Sequence, residues 1–266
     1  MIRKQISPTL RVALGAVALV LLLAGYTLMA YNQKLINPSD TTIPSWAQLW
    51  DGLVQLASID ERSDTRWIVV DGLATGTRFF LGMTISVVLG VLTGILAGCY
   101  EAVEAFVVPP LTVFAKVVPT AAMAVFFVLV GLDLEMYLTM IVFGVAPSLA
   151  ISVYLAAKSV PKELIDKAYT LGASEFEVVW GAVYPAILPN ILDAIRLAIG
   201  PALVYLIAAE MLVGDEGFGY RIRLLQRRLD MNVVYLYISF LAGFGFGMDA
   251  LLKGLTRWWC PWWGER

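Results

Sequence analysis

The stretch Asp166-Lys167-Ala168-Tyr169-Thr170-Leu171-Gly172-Ala173-Ser174, followed by Tyr184-Pro185 and Leu188-Pro189, is a polar island between long apolar segments. Ser159 and Pro161 open a short helix, and Gly172 supplies the φ > 0 turn that ends it. Ser174, with Glu177 three residues on, forms a capping box for a second helix. The spacing predicts two short helices held at a fixed angle, in a loop covering about residues 158–190.

On both sides of this loop the chain is too apolar for a soluble core, at 59% hydrophobic and 15% charged with mean hydropathy +0.78. A membrane span takes about 20 apolar residues. Six runs qualify: 10–31, 73–98, 105–130, 134–157, 191–213 and 233–252. The expected fold class is therefore all-α integral membrane, with about six transmembrane helices and residues 1–266 forming one membrane domain. Too little contiguous polar chain remains for an ATPase domain of about 150 residues, and no G-x-x-x-x-G-K-[ST], H-E-x-x-H or G-x-S-x-G pattern occurs. The apolar run 12–30 exceeds a signal-peptide core of about 7 to 15 residues, so it reads as a retained span. With no His and only Cys99 and Cys260, the usual metal constellations are missing, and no metal or cofactor is expected in the chain. No disulfide is expected either.

Between the first two spans, Asp40, Asp51, Asp60, Glu61 and Asp64 surround an amphipathic segment at about residues 44–57. There Trp46, Leu49, Trp50 and Leu53 follow the i, i+3, i+4, i+7 pattern behind a Ser45 cap. This predicts a helix lying at the membrane surface with its indoles among the headgroups, the alternative being contact with a binding protein. In the second span Gly82, Gly90, Gly94 and Gly98 put small residues on one face, where another helix can approach closely. Pro109, Pro110 and Pro119 should bend or break the third span, and Pro147 more mildly the fourth. Broken helices in a membrane point to a pathway, because freed carbonyls need protein or water around them. No internal repeat supplies the second half of a transporter, which must then be another subunit.

The polar island resembles the EAA loop of membrane subunits of ATP-binding-cassette importers. Ala168, Gly172 and Pro185 fall in register with that consensus, while Asp166, Lys167 and Tyr184 depart from it. Over residues 43–252 the chain resembles permeases of the nitrate, sulfonate and taurine branch. The resemblance is carried by Ile43-Pro44-Ser45, Val118-Pro119-Thr120 leading to Val130-Gly131-Leu132, Ala168 through Ser174, and Ala209-Glu210-Met211 before Gly217-Phe218-Gly219-Tyr220.

The resemblance implies a type I importer core with a cytoplasmic coupling-helix pair. In it Asp166, Lys167, Ala168, Leu171, Gly172, Ala173, Ser174 and Pro185 would meet an ATPase subunit that alone binds ATP and Mg. The implied partners are a second permease copy in a homodimer, cytoplasmic ATPases, an extracytoplasmic solute-binding protein and the bilayer, with no nucleic acid. The implied location is the inner membrane, multi-pass. A cytoplasmic loop puts both termini in the cytoplasm, with Arg3, Lys4, Arg11, Lys158, Lys162, Lys167, Lys253, Arg257 and Arg266 inside. Arg221, Arg223, Arg227 and Arg228 then lie outside, against the positive-inside tendency.

Charged residues in or near spans need compensation. Asp249 has Lys253 four residues on and needs no transport role. Arg78 is expected to snorkel to the outer interface. Lys116, Pro119, Arg196 and Glu210 are the pathway candidates, Glu210 with the alternative of pairing with an Arg of the following loop. Residues 215–230 read as a solvated connector or interfacial helix, with a gate as the rival, and Trp258 to Trp263 as an inner interfacial anchor. The expected function is passage of a small polar solute, an oxyanion such as nitrate, a sulfonate or taurine. The alternatives are an importer for a nitrogen-rich organic solute, an ATP-independent transporter or channel and, more remotely, an intramembrane enzyme.

Overall fold

In a bilayer each backbone N–H and C=O must find its partner within the protein, so a long apolar run folds as a helix. The structure, a computed structural model, describes residues 7–37, 40–58 and 66–263, and every regular element in them is helical. In chain order these are α1 (Pro8–Ile36), α2 (Trp46–Ala57), α3 (Trp67–Cys99), α4 (Glu101–Phe114), α5 (Met123–Val130), α6 (Leu134–Lys158), α7 (Lys162–Thr170), α8 (Glu175–Glu177), α9 (Tyr184–Val213), α10 (Phe218–Arg227) and α11 (Met231–Trp259). Among the described residues, 5 helices are long and apolar enough to cross a membrane. Arg3, Lys4, Asp60, Glu61, Asp64 and Arg266 lie outside the described residues.

The third apolar run, 105–130, does not form one long helix but is present as α4 and α5 with a turn between them. The break falls beside Pro119, which restricts Val118 to extended backbone. Pro109 and Pro110 instead lie inside α4, and Pro147 inside α6, so these prolines do not break the helices that hold them. The second helix of the polar loop is not short, contrary to expectation. α8, a π-helical turn at Val178–Val183 and α9 form one helix of 39 residues, Glu175–Val213. The π turn lies directly before Pro185, where a missing N–H would interrupt the regular ladder, and the Tyr184 amide reaches back to Val179 O.

The chain divides into two units, residues 1–67 with 224–238, and residues 68–223 with 239–266. In the first, α2 is closed by a capping box between Ser45 and Gln48. Its buried stripe is Gly52 and Leu56, while Trp46 and Trp50 are exposed, so the indoles flank the packed face and do not form it. The Trp46 ring sits edge-on to Tyr26 at 5.4 Å, and the Tyr26 hydroxyl donates to Pro44 O at 2.5 Å. Asp40 accepts from the Thr42 hydroxyl at 2.6 Å and amide at 2.9 Å, and from Gln33 at 2.5 Å. These bonds, those of Thr42 foremost, hold its carboxyl below the ordinary carboxylate range.

The second unit is built on α6 and α9. Met136, Met140, Ile141 and Val145 of α6 face Ala202, Leu206 and Ala209 of α9, joined by Phe79 and Met83 of α3. α3 lies against α6 along the glycine stripe. A Cβ on Gly82 would meet Ile141, on Gly90 Leu149, on Gly94 Val153 and on Gly98 Ala157, so the contact advances in step along both helices. At Gly94 that Cβ would stand 2.6 Å from the Ala150 carbonyl oxygen, which is backbone and cannot turn aside. Gly94→Leu is therefore expected to destabilise the unit by about 1 to 3 kcal/mol through overpacking. A thermal unfolding midpoint in detergent equal to that of the unmodified chain would contradict this helix contact.

Candidate functional site

Local chemistry builds the α7 turn. Its C-terminus carries a full glycine cap: Gly172 has φ +85, its amide donates to Tyr169 O at 2.9 Å, and the Ala173 amide donates to Ala168 O at 3.2 Å. One residue later Ser174 begins the next helix. Its amide donates to Glu177 Oε2 at 2.8 Å, and its Oγ accepts from the Glu177 amide at 3.4 Å. With one helix capped at Gly172 and the next at Ser174, only Ala173 is left between caps, and the angle between the helices has little freedom.

The two sides of the turn differ. Ile165, Ala168 and Ala173 pack against a buried cluster that includes Val178, Val179 and Val183. Asp166, Lys167, Gly172 and Ser174 are exposed, as are Leu171 at 81% and Phe176 at 69%. Pro185 is half-buried in the following helix. Of the residues expected to couple, Asp166, Lys167, Leu171, Gly172 and Ser174 are exposed, while Ala168 and Ala173 pack on the buried cluster.

A second constellation joins the beginning of α3 to the end of α9 and the start of α10. Asp71 and Glu210 have no solvent exposure and Thr75 has 5%. Glu210 Oε1 accepts from Arg78 Nη1 at 2.9 Å, and its Oε2 accepts from the Gly219 amide at 2.9 Å. The Thr75 hydroxyl donates to the same carboxylate at 2.9 Å and accepts from the Phe218 amide at 2.9 Å. Asp71 takes Arg221 Nε at 2.9 Å and the Gly217 amide at 3.1 Å. Arg78 also donates to Glu216 O at 2.8 Å, and its guanidinium lies 4.1 Å above the Tyr137 ring. At Gly217, with φ +113, a Cβ would fall 2.5 Å from Glu210 Oε1, so only glycine leaves room for the carboxylate.

This clasp corrects several expectations. Arg78 does not snorkel to an interface, because a buried carboxylate is available on α9. Glu210 pairs with Arg78 of α3 rather than with an Arg of the following loop, and its carboxylate is fully buried among these partners. Residues 215–230 are not a solvated connector throughout. Arg221 is bonded to buried Asp71, and Ile222 and Leu225 are buried. Asp71 and Thr75 were missed. With Arg78 they stand at i, i+4 and i+7, one polar stripe on an apolar helix, which was the available signal.

The other pathway candidates are scattered. Lys116 is exposed in the turn after α4 and forms no ion pair among the described residues. Pro119 is buried beside Gly144. Arg196 is paired with Asp193 at 3.0 Å and with Asp249 at 3.0 Å, so its charge is already compensated. Asp249 holds Lys253 at 2.6 Å, the expected i, i+4 pair.

Comparison with known proteins gives four likenesses of different reach. The family model described as "Binding-protein-dependent transport system inner membrane component" matches residues 90–259. The taurine transport system permease protein TauC of Escherichia coli (strain K12) is 28% identical over 264 residues, 99% of this chain and 94% of that protein. The formylaminopyrimidine transport permease protein ThiX of Halalkalibacterium halodurans is 29% identical over 190 residues, 71% of this chain and 76% of that protein. A solved chain of the MetNI methionine ABC transporter, in inward-facing conformations, aligns with TM-score 0.52 at 20% identity, over 80% of this chain and 100% of that chain. At that identity the likeness is one of fold.

Proposed function

We propose, from the premise that this chain belongs to the binding-protein-dependent transport system inner membrane component family, that it passes a small oxyanion such as nitrate, a sulfonate or taurine across the membrane. The chain is a multi-pass membrane permease component of an ABC importer. In the proposal an extracytoplasmic binding protein delivers the solute, two copies of the chain enclose the passage, and both termini are cytoplasmic. Separate ATPase subunits hold ATP and Mg and supply the energy. The observation that carries this reading is the doubly capped α7 turn with Leu171 and Phe176 exposed on it. A turn of so little freedom, continuous with a helix of 39 residues, transmits displacement of a docked subunit to the membrane interior.

TauC supports the sulfonate choice, and exposed Lys116 offers a fixed positive charge to an anion. The likeness to ThiX favours a second reading, a nitrogen-rich organic solute. The purified chain is expected to hydrolyse no ATP, and from native membranes it should bring down an ATPase subunit. In vesicles with the cognate binding protein, Lys116→Met should slow oxyanion uptake several-fold at matched protein levels, whereas Arg196→Met removes a charge already paired twice and should act less on the anion. ATP turnover by the chain alone would overturn the importer reading. Unchanged uptake in Lys116→Met would overturn the anion path at that residue.

A further inference from the structure

A groove with polar side chains on one side lies outside the turn and the clasp. It lies between α6 and α9, has a volume of about 350 Å³, and is lined on its polar side by Ser148, Ser152, Asn190 and Asp193. Ser148 and Ser152 stand one helical turn apart on an exposed face of α6. Their hydroxyls donate to Val145 O and Ser148 O at 2.9 Å each, so what each oxygen still offers is acceptor capacity. The Asn190 carboxamide makes no hydrogen bond among the described residues. All four lie in the half of the span nearer the α7 turn, Ser148 about 21 Å and Ser152 about 27 Å from the start of α6 at the usual helical rise.

The groove is lined by the acidic end of a chain of paired charges. Asp193, Arg196, Asp249 and Lys253 form a chain of alternating charges, at 3.0, 3.0 and 2.6 Å. Arg196 divides its guanidinium between two carboxylates and does not line the groove, and the terminal ammonium of Lys253 lies on α11. The end of the chain that lines the groove is the Asp193 carboxylate, 41% exposed. Ionisable groups within membrane helices face a bundle interior or a water-filled cavity, because lipid cannot solvate them.

We infer that this groove is a solute subsite of the passage, and that it takes the cationic amino end of a small solute. Asp193 receives the ammonium, while Ser148, Ser152 and Asn190 supply neutral hydrogen-bond partners along the way. The inference rests on the permease reading and narrows it. A solute bearing an ammonium group, such as a zwitterionic amino sulfonate, is matched here, and a bare oxyanion is not.

The test measures the sign of the groove directly. The full chain carrying Cys99→Ala, Cys260→Ala and Ser152→Cys is placed in membrane vesicles and labelled with two water-soluble methanethiosulfonates, one ending in trimethylammonium and one in sulfonate. Each rate is divided by that reagent's rate with a free thiol in water. The cationic reagent should react about tenfold faster, in the range by which a charged cleft alters encounter rates. Asp193→Asn should bring the ratio close to unity, and Asp193→Glu should retain it. A thiol at position 152 that neither reagent reaches would overturn the inference, since the groove would then face lipid or be closed. Equal rates for the two reagents in the unmodified-Asp193 chain would also overturn it, as would a preference that survives Asp193→Asn. Labelling needs neither ATP nor transport, so its failure leaves the permease reading standing, and failure to recover an ATPase leaves the labelling result readable.

Discussion

Arg78→Met should lower the stability of the chain by about 3 to 5 kcal/mol, the usual consequence of removing one partner from a buried ion pair. Glu210 has no exposure, so without Arg78 its carboxylate keeps Thr75 and the Gly219 amide as donors but loses its countercharge. The loop carbonyl of Glu216 loses its donor as well. In detergent the unfolding midpoint should fall by on the order of 10 °C. The double variant Arg78→Met with Glu210→Gln should recover part of that loss, because no buried charge is left unpaired. A single variant as stable as the parent would show that the clasp does not hold the C-terminal end of α9 to α3.

Gly172→Glu should abolish transport while leaving insertion intact. At φ +85 an L side chain is strained by about 1 to 2 kcal/mol, yet a Cβ there meets no other atom within 4 Å. The strain is therefore modest, and the larger effect falls on whatever the turn contacts, where a carboxylate enters beside Leu171. Gly172→Asn is the control, since Asn tolerates left-handed backbone and adds no charge. The measurement is the amount of ATPase recovered with each purified variant, together with uptake. Normal recovery and uptake in Gly172→Glu would remove Gly172 from the coupling joint.

How much of these features was legible follows from the range of the interactions that make them. Ser174 and Glu177 are three residues apart, so their capping box could be written down from residue types alone. The end of α7 at Gly172 is equally local. The π turn before Pro185 was not legible. The helix runs through Pro185 and Pro189, with the π turn directly before Pro185, where the missing N–H falls. Arg78 was misjudged for the opposite reason. Its carboxylate lies 132 positions away in sequence, and that of Arg221 lies 150 away, so nothing within either segment distinguishes a paired guanidinium from one that reaches for an interface. Separation along the chain also hid the sharing of Arg196 with Asp249 of another helix.

The sequence by itself determined that this is a helical membrane protein, where its apolar runs lie, and how the chain turns between Lys158 and Glu175. Those outcomes depend on hydropathy, which is additive along the chain, and on caps that close within a few residues. Only the tertiary structure decided which charges are neutral partners and which remain available. A buried charge is tolerated according to what a distant helix brings against it. Asp71 and Glu210 are therefore enclosed by α3, α9 and α10, while Asp193 keeps a face on an open groove.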